Sequence, residues 1–210
     1  MIDDVTEPQP PTAPVPRPDR PLRPWAVAVL VLSGAWTAIV WARYAEAVRD
    51  GQGSVLFDDT TQSGLGLTIV VTWLVTSTWL GRLHDAAREV APQDQRYLRI
   101  WASFGWVVPI VNLWFPKGVV DVAARALERL PGRGPRVRTG WWWLAWLVAG
   151  FVTTPSVYAG GNDPAQVVTL GFAVALTVAW LLWARVVLRV TAAYDGPREA
   201  PGAARPAPSA

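Results

Sequence analysis

The sequence predicts an all-α membrane protein: four transmembrane helices, a broken re-entrant or interfacial helix, and an amphipathic helix on the cytoplasmic side. Three observations carry that expectation. Half of the 210 residues are apolar, and the 17% that are charged are excluded from four long stretches. Lys and Arg fall almost wholly into alternate connecting segments. The 14 tryptophans gather at the ends of the apolar stretches and in the segment between the second and the third.

Residues 1–24 hold eight of the 19 prolines, mixed with acids and arginines. Such a stretch can build neither helix nor core, so it reads as a solvated, partly polyproline tail. No Asp, Glu, Lys or Arg then occurs from Pro24 to Ala42, Thr60 to Gly81, Thr139 to Asn162, or Pro164 to Ala184. A helix rises ~1.5 Å per residue and the hydrocarbon core is ~30 Å thick, so about 20 residues cross it. Lipid offers the backbone no hydrogen-bond partners, which makes helices the expected form. The expected spans are about 25–43, 62–81, 140–158 and 165–185, within a membrane domain 25–194. Residues 195–210 form a second tail. Ala45-Glu46-Ala47 resembles a signal cleavage site, but the long acidic, proline-rich front argues for an uncleaved first span.

Orientation follows from the basic flanks. Of the 19 Lys and Arg, 17 lie in the N-terminal tail, the segment from Arg82 to Arg138, and the C-terminal end. Arg43 and Arg49 follow the first span, and the loop around Gly161 has none. The positive-inside rule therefore places both termini and the middle segment in the cytoplasm of a multi-pass protein of the cell (inner or plasma) membrane. The arginines beside spans fit anionic lipid headgroups, and no nucleic-acid partner is expected. Trp25, Trp41, Trp79, Trp141 to Trp143 and Trp183 sit at predicted span ends and read as interfacial anchors.

The chemistry is narrow. Cysteine is absent, which removes disulfides, thiolate metal sites and cysteine nucleophiles. The single histidine, His84, neighbours Asp85, yet adjacent helical residues point about 100° apart, so the pair reads as solvated surface. One His with scattered carboxylates has no metal-ligand spacing, and neither a phosphate-cradling glycine loop nor a G-x-S-x-G elbow occurs. No span carries an ionisable group, which counts against pumps and proton-coupled transporters. The expectation is a non-enzyme with no catalytic residue, cofactor or metal. Thr68, Thr72 and Thr76, and Ala165, Thr169, Ala173 and Thr177, recur every fourth position. Such faces, like Gly34-x-x-x-Ala38, favour close helix packing, and their alternative use is a hydroxyl-lined passive pore.

The middle segment differs from the rest. Arg82 to Val90 continues the second span as a charged helix until Pro92 stops it. Residues 100–116 form an uncharged run interrupted by Pro109 and Pro116 and containing Asn112. A full crossing would leave the six basic residues from Lys117 to Arg138 outside, against the charge rule, so the run is expected to dip or to lie at the interface. In 117–130, Val119, Val120, Val122, Ala123, Ala126, Leu127 and Leu130 face one way and Asp121, Arg125, Glu128 and Arg129 the other. That pattern predicts an interfacial amphipathic helix, started by Pro116.

Trp101, Gly105-Trp106, Pro109, Asn112-Leu113-Trp114 and Pro116, then Val119-Val120-Asp121 and Gly140-Trp141-Trp142-Trp143, resemble the signature of a bacterial membrane family, domain of unknown function 4328. The likeness is strong over Trp73 to Trp146, with Ala123 where many members have an aromatic residue. It implies membrane placement and no chemistry. The candidate lipid or partner contacts are Trp101, Trp106, Asn112, Trp114, Asp121, Arg125 and Arg129. The expected partners are the bilayer with its anionic headgroups, and a membrane protein or a second copy of the chain. For Asn112 a structural role, pairing the backbone that the prolines free, weighs more than ligand binding.

Overall fold

The computed structural model describes residues 21–50, 62–94, 97–106, 111–128, 137–158 and 169–195, which form helices and turns and contain no strand. Six α-helices follow one another: α1 (Arg23–Asp50), α2 (Gln62–Val90), α3 (Trp101–Phe104), α4 (Phe115–Glu128), α5 (Gly140–Tyr158) and α6 (Leu170–Asp195). Short 3₁₀ turns sit at Pro92–Asp94 and Val111–Leu113. Among the described residues three segments are long and apolar enough to cross a membrane, Arg23–Arg49, Gly66–Val90 and Leu170–Asp195.

Two of these helices outrun the expected spans, for local reasons. α1 continues past 43 to Asp50, through an alanine-rich stretch in which Arg43 pairs with Glu46 at 3.2 Å. Good helix formers and an i,i+3 ion pair carry it on. α6 begins at Leu170, later than the expected 165, because the Thr169 hydroxyl accepts the Phe172 N–H at 3.1 Å and caps it. It also continues to Asp195, since Val186, Val187, Val190, Thr191 and Tyr194 bury a face beyond residue 185.

The long helices neighbour one another in the order α5, α6, α1, α2, and α4 packs on α2. Among the described residues α2 and α5 pack less closely than the neighbouring pairs, so the four form an arc whose α2 and α5 edges stand further apart. One main core joins the N-terminal end of α1 (Leu22, Ala26, Val29), the C-terminal half of α2 (Trp79 to Ala91), the start of α5 and the end of α6. Those four helix ends therefore lie on the same side of the molecule. Asp195, closing α6, ties them further: its carboxylate accepts the backbone N–H groups of Leu22 and Arg23 at 3.3 and 3.0 Å. These donors at the start of α1 have no partner within their own helix.

The stripe on α6 packs as expected. Ala173 is fully buried beside Val40 of α1, and Thr177 accepts a hydrogen bond from Trp41 Nε1 at 2.9 Å. Gly34 earns its place by proximity, because a Cβ there would lie 3.0 Å from the Trp180 ring. Ala165 of that stripe lies outside the described residues, as do the tails 1–20 and 196–210.

α4 starts as the proline predicted: Pro116 is its second residue, and the Gly118 N–H reaches the Trp114 carbonyl at 3.0 Å. Its apolar face has a different destination from the one expected. Val119, Val120, Ala123, Ala124 and Ala126 are buried in the core with Leu83, Ala86 and Ala87 of α2. The charged extension of α2 presents small apolar residues on its inner side, and α4 covers them. That face is used inside the protein and is not free to lie on lipid.

Candidate functional site

The tryptophans build the centre of the molecule. Trp79 is fully buried, Trp142 is 2% exposed and Trp183 is 7% exposed. Trp183 meets Trp79 edge-on at 5.6 Å, stacks on Trp142 at 4.5 Å, and faces Trp106 at 6.5 Å. Trp143 and Trp146 stack at 4.9 Å, and Trp146 meets Trp106 at 6.2 Å. Aromatic pairs of these geometries add about 0.5–1.5 kcal/mol each beyond the area they bury. The interfacial-anchor reading therefore fails for Trp79, Trp142, Trp143 and Trp183. Their positions at span ends coincide with the junction where helix ends meet, and there the rings turn inward. Trp141, 63% exposed, and Trp41, 37% exposed, stay on the outside.

Beside this cluster, enclosed by the arc, is a cavity of about 420 Å³. Ser33 and Thr37 of α1, Thr72 and Thr76 of α2, and Ala179 of α6 contribute to its wall, along with seven tryptophans. Thr72 and Thr76 were legible as a hydroxyl face, but their partners in the wall come from α1, not from α6. The hydroxyl protons are committed locally: Ser33 donates to the Val29 carbonyl, Thr37 to Ser33 and Thr72 to Thr68, at 2.6, 3.1 and 2.8 Å. The wall thus offers mainly carbon, aromatic faces and oxygen lone pairs.

The segment between α2 and α4 caps one end. Among its described residues only the four-residue α3 and two 3₁₀ turns are helical, with 95–96 and 107–110, including Pro109, outside them. Three contacts fix it. Trp73 Nε1 of α2 donates to the Ser103 carbonyl at 2.9 Å, Trp143 Nε1 of α5 donates to the Leu113 carbonyl at 3.0 Å, and the Trp101 and Phe115 rings meet at 4.7 Å. Arg99 pairs with Asp85 at 3.2 Å, so that carboxylate reaches across to the cap and not along its own helix.

His84 is 5% exposed, which corrects the solvated reading. Its Nε2 lies 2.9 Å from the Tyr97 carbonyl, which can only accept, so Nε2 carries the proton. Nδ1 stands 3.8 Å from Asp85 Oδ1, too far for a hydrogen bond. A buried ring holding a loop carbonyl pins α2 to the cap.

The sequence-predicted site residues separate into distinct groups. Trp106 joins the cavity wall, and its indole N–H is shielded and has no acceptor among the described residues. Trp101 packs on Phe115 within the cap. Asn112 sits in the 3₁₀ turn, and its Oδ1 is shielded and without a donor among the described residues, so it does not cap the following helix through that oxygen. Asp121 is internal glue: it accepts from Lys117 Nζ and from the Thr139 hydroxyl, which joins α4 to the start of α5. Trp114 is 52% exposed, and Arg125 is exposed with Nε on the Asp121 carbonyl at 3.2 Å. Arg129 lies outside the described residues. Sequence reasoning missed Ser33, Thr37 and Trp180. The serine and threonine, four apart, were a readable signal, while Trp180 gave none.

Among the described residues no group of three or more His, Asp and Glu is placed to hold a metal ion. Long apolar helices arranged around an aromatic cavity define the class, a helical protein of the kind that membranes host. Within it the chain belongs to the family described as Domain of unknown function (DUF4328), whose model matches residues 52–192. No curated protein and no solved structure matches the chain.

Proposed function

We propose that this chain is a four-span integral membrane protein of the cell membrane, with both termini and the cap in the cytoplasm, that contacts lipid and catalyses no reaction. α5 is the fourth span in this reading: its 19 residues carry no charge and it packs along α6. The gathering of four helix ends in one core supports an even number of crossings. The ring contact between Trp101 and Phe115 supports a segment that enters and leaves on the same side, since a crossing separates its ends by ~30 Å. The basic flanks make that side the cytoplasm.

The observation that carries lipid contact is the outer rim of the cap. Leu98, Ile100, Phe104, Leu113 and Trp114 are exposed there, close in sequence to Arg99 and Lys117. Apolar and indole side chains beside cations suit the headgroup layer of an anionic leaflet. The test is photo-crosslinking in nanodiscs containing phosphatidylglycerol with a diazirine near its headgroup. Adducts are expected on the tryptic peptide between Arg99 and Lys117, and fewer when phosphatidylcholine replaces the anionic lipid. Adducts confined to the long helices would overturn the reading.

The pore alternative has Thr72 and Thr76 in a cavity wall in its favour. Against it, the Thr72 hydroxyl donates into its own helix, and packed tryptophans fill one end. Solute flux into reconstituted vesicles that responds to Thr72→Val would restore it.

A further inference from the structure

We propose that the cavity is a lipid site: it takes the carbonyl-proximal part of the acyl chains of one phospholipid, entering sideways between α2 and α5. This inference rests on the reading of the long helices as membrane spans.

Four features of the molecule point to that occupant. The first is size, since about 420 Å³ lies within the ~300–1,000 Å³ of ligand-binding pockets. The second is the wall. Trp36, Trp146 and Trp180 contribute aromatic rings, Leu176 and Ala179 contribute carbon, and the hydroxyls of Ser33, Thr37 and Thr72 have already given their protons to helix carbonyls. A chain of water molecules gains few donors from such a wall, whereas hydrocarbon loses nothing there. The third is access. Among the described residues α2 and α5 pack less closely than the other neighbours of the arc, and Ile69, which lines the cavity, is 45% exposed. A molecule dissolved in the bilayer therefore has a route that one dissolved in water lacks.

The fourth feature is polarity along the helix axes. Ile69 to Thr76 on α2, and Leu176 to Trp183 on α6, each cover about two turns, roughly 10 Å of rise. Trp106, Trp142 and Trp183 mark the end nearest the cap, and Trp36, Ile69 and Leu176 the end towards the middle of the spans. A leaflet phospholipid has the same order, with its ester carbonyls near the headgroups and its chains running inward. At the cap end stands the Trp106 indole, whose N–H is shielded and lacks an acceptor among the described residues. Leaving a buried donor unpaired is unfavourable, and an ester carbonyl seated against a slightly turned ring removes that penalty. A purely hydrocarbon occupant would leave it in place.

The experiment uses the full chain in mild detergent. Phosphatidylglycerol with bromine on its chains close to the carbonyls is titrated in, and tryptophan quenching is read. Seven of the 14 tryptophans line the cavity, so its occupation dominates the signal. Ala179→Leu and Thr76→Leu fill it from opposite walls, and the second serves if the first misfolds. The expected result is an apparent affinity lowered about tenfold or more in a folded filled variant, with Trp106→Phe, which removes the N–H donor and leaves the cavity slightly larger, weakening binding less. Unchanged quenching in a folded filled variant would overturn the proposal. Diazirine adducts on the cap peptide that persist in that variant would show that the cap reading stands even then; their absence in the unmodified chain would sink the cap reading instead.

Discussion

Asp121 allows the sharpest separation between a residue that binds something and one that holds the fold. Its carboxylate takes the Lys117 ammonium on one oxygen and the Thr139 hydroxyl on the other. The lysine pair is an i,i+4 contact with both side chains partly exposed, at 34% and 24%, which makes it worth about 0.3–0.5 kcal/mol. The threonine is different. Thr139 is 5% exposed, and a hydrogen bond to a charged acceptor contributes about 1.5–3 kcal/mol. Asp121→Ala should therefore cost about 2–3 kcal/mol, most of it from the hydroxyl left without an acceptor. Thr139→Val, which removes the donor together with its need, should cost less. The assay is a double-mutant cycle on thermal or denaturant unfolding in detergent, with Thr139→Ser as the variant that keeps the bond. A coupling energy of about 1–2 kcal/mol between positions 121 and 139 is expected. Additive effects within ~0.3 kcal/mol would refute the internal role and return Asp121 to the list of surface contacts.

Three further outcomes follow from single contacts. Asp195→Ala should lower stability by about 0.5–2 kcal/mol by leaving the Leu22 and Arg23 N–H groups uncapped, and Asp195→Asn by less, both read as a fall in unfolding midpoint. An unchanged midpoint for Asp195→Ala would show that the two helix ends do not meet. Gly34→Ala gains up to ~1 kcal/mol of helix propensity but pushes a methyl to 3.0 Å from the Trp180 ring, and overpacking costs about 1–3 kcal/mol. The clash wins, so the variant should melt lower, and a higher midpoint would contradict the α1–α6 packing. Gly118→Val should disturb the cap, because a Cβ at 118 falls 2.7 Å from the Tyr97 hydroxyl, and hydrogen exchange should rise around His84 and Tyr97. Exchange there equal to that of the unmodified chain would show that Tyr97 is not seated on α4.

What could be read from the sequence was what depends on period and charge along one helix. Uncharged runs located the long helices, Pro92 and Pro116 marked a stop and a start, and a glycine-tryptophan and proline series identified the family. What could not be read depends on which ends meet. Trp79, Trp142 and Trp183 look like interfacial anchors in any one helix, and become a stacked core only when α2, α5 and α6 bring their ends together. His84 looks solvated until the loop after Pro92 folds back and puts the Tyr97 carbonyl on its ring. The amphipathic face of α4 announced that it would be buried, but the small residues of α2 that receive it, Ala86 and Ala87, resemble any solvated helix. Thr72 and Thr76 were visible as a face, yet whether a hydroxyl face packs or lines space depends on the neighbour, and α5 packs less closely on α2 than the other neighbours of the arc do on each other.

The central claim is the arrangement in the membrane: four crossings, with the cap and both ends on the cytoplasmic side. The chain has no cysteine, so single cysteines report without background. Replacing Thr12, Ser54, Arg125, Asn162 and Ser209 in turn, and labelling intact cells with a membrane-impermeant thiol reagent, tests every crossing at once, with Thr12→Cys expected to label only after permeabilisation. Arg125 serves for the cap because its side chain is exposed. The account predicts labelling at Ser54→Cys and Asn162→Cys in intact cells, and at Arg125→Cys and Ser209→Cys only after permeabilisation. Labelling of Arg125→Cys from outside would put the cap on the other face of the membrane and contradict the account.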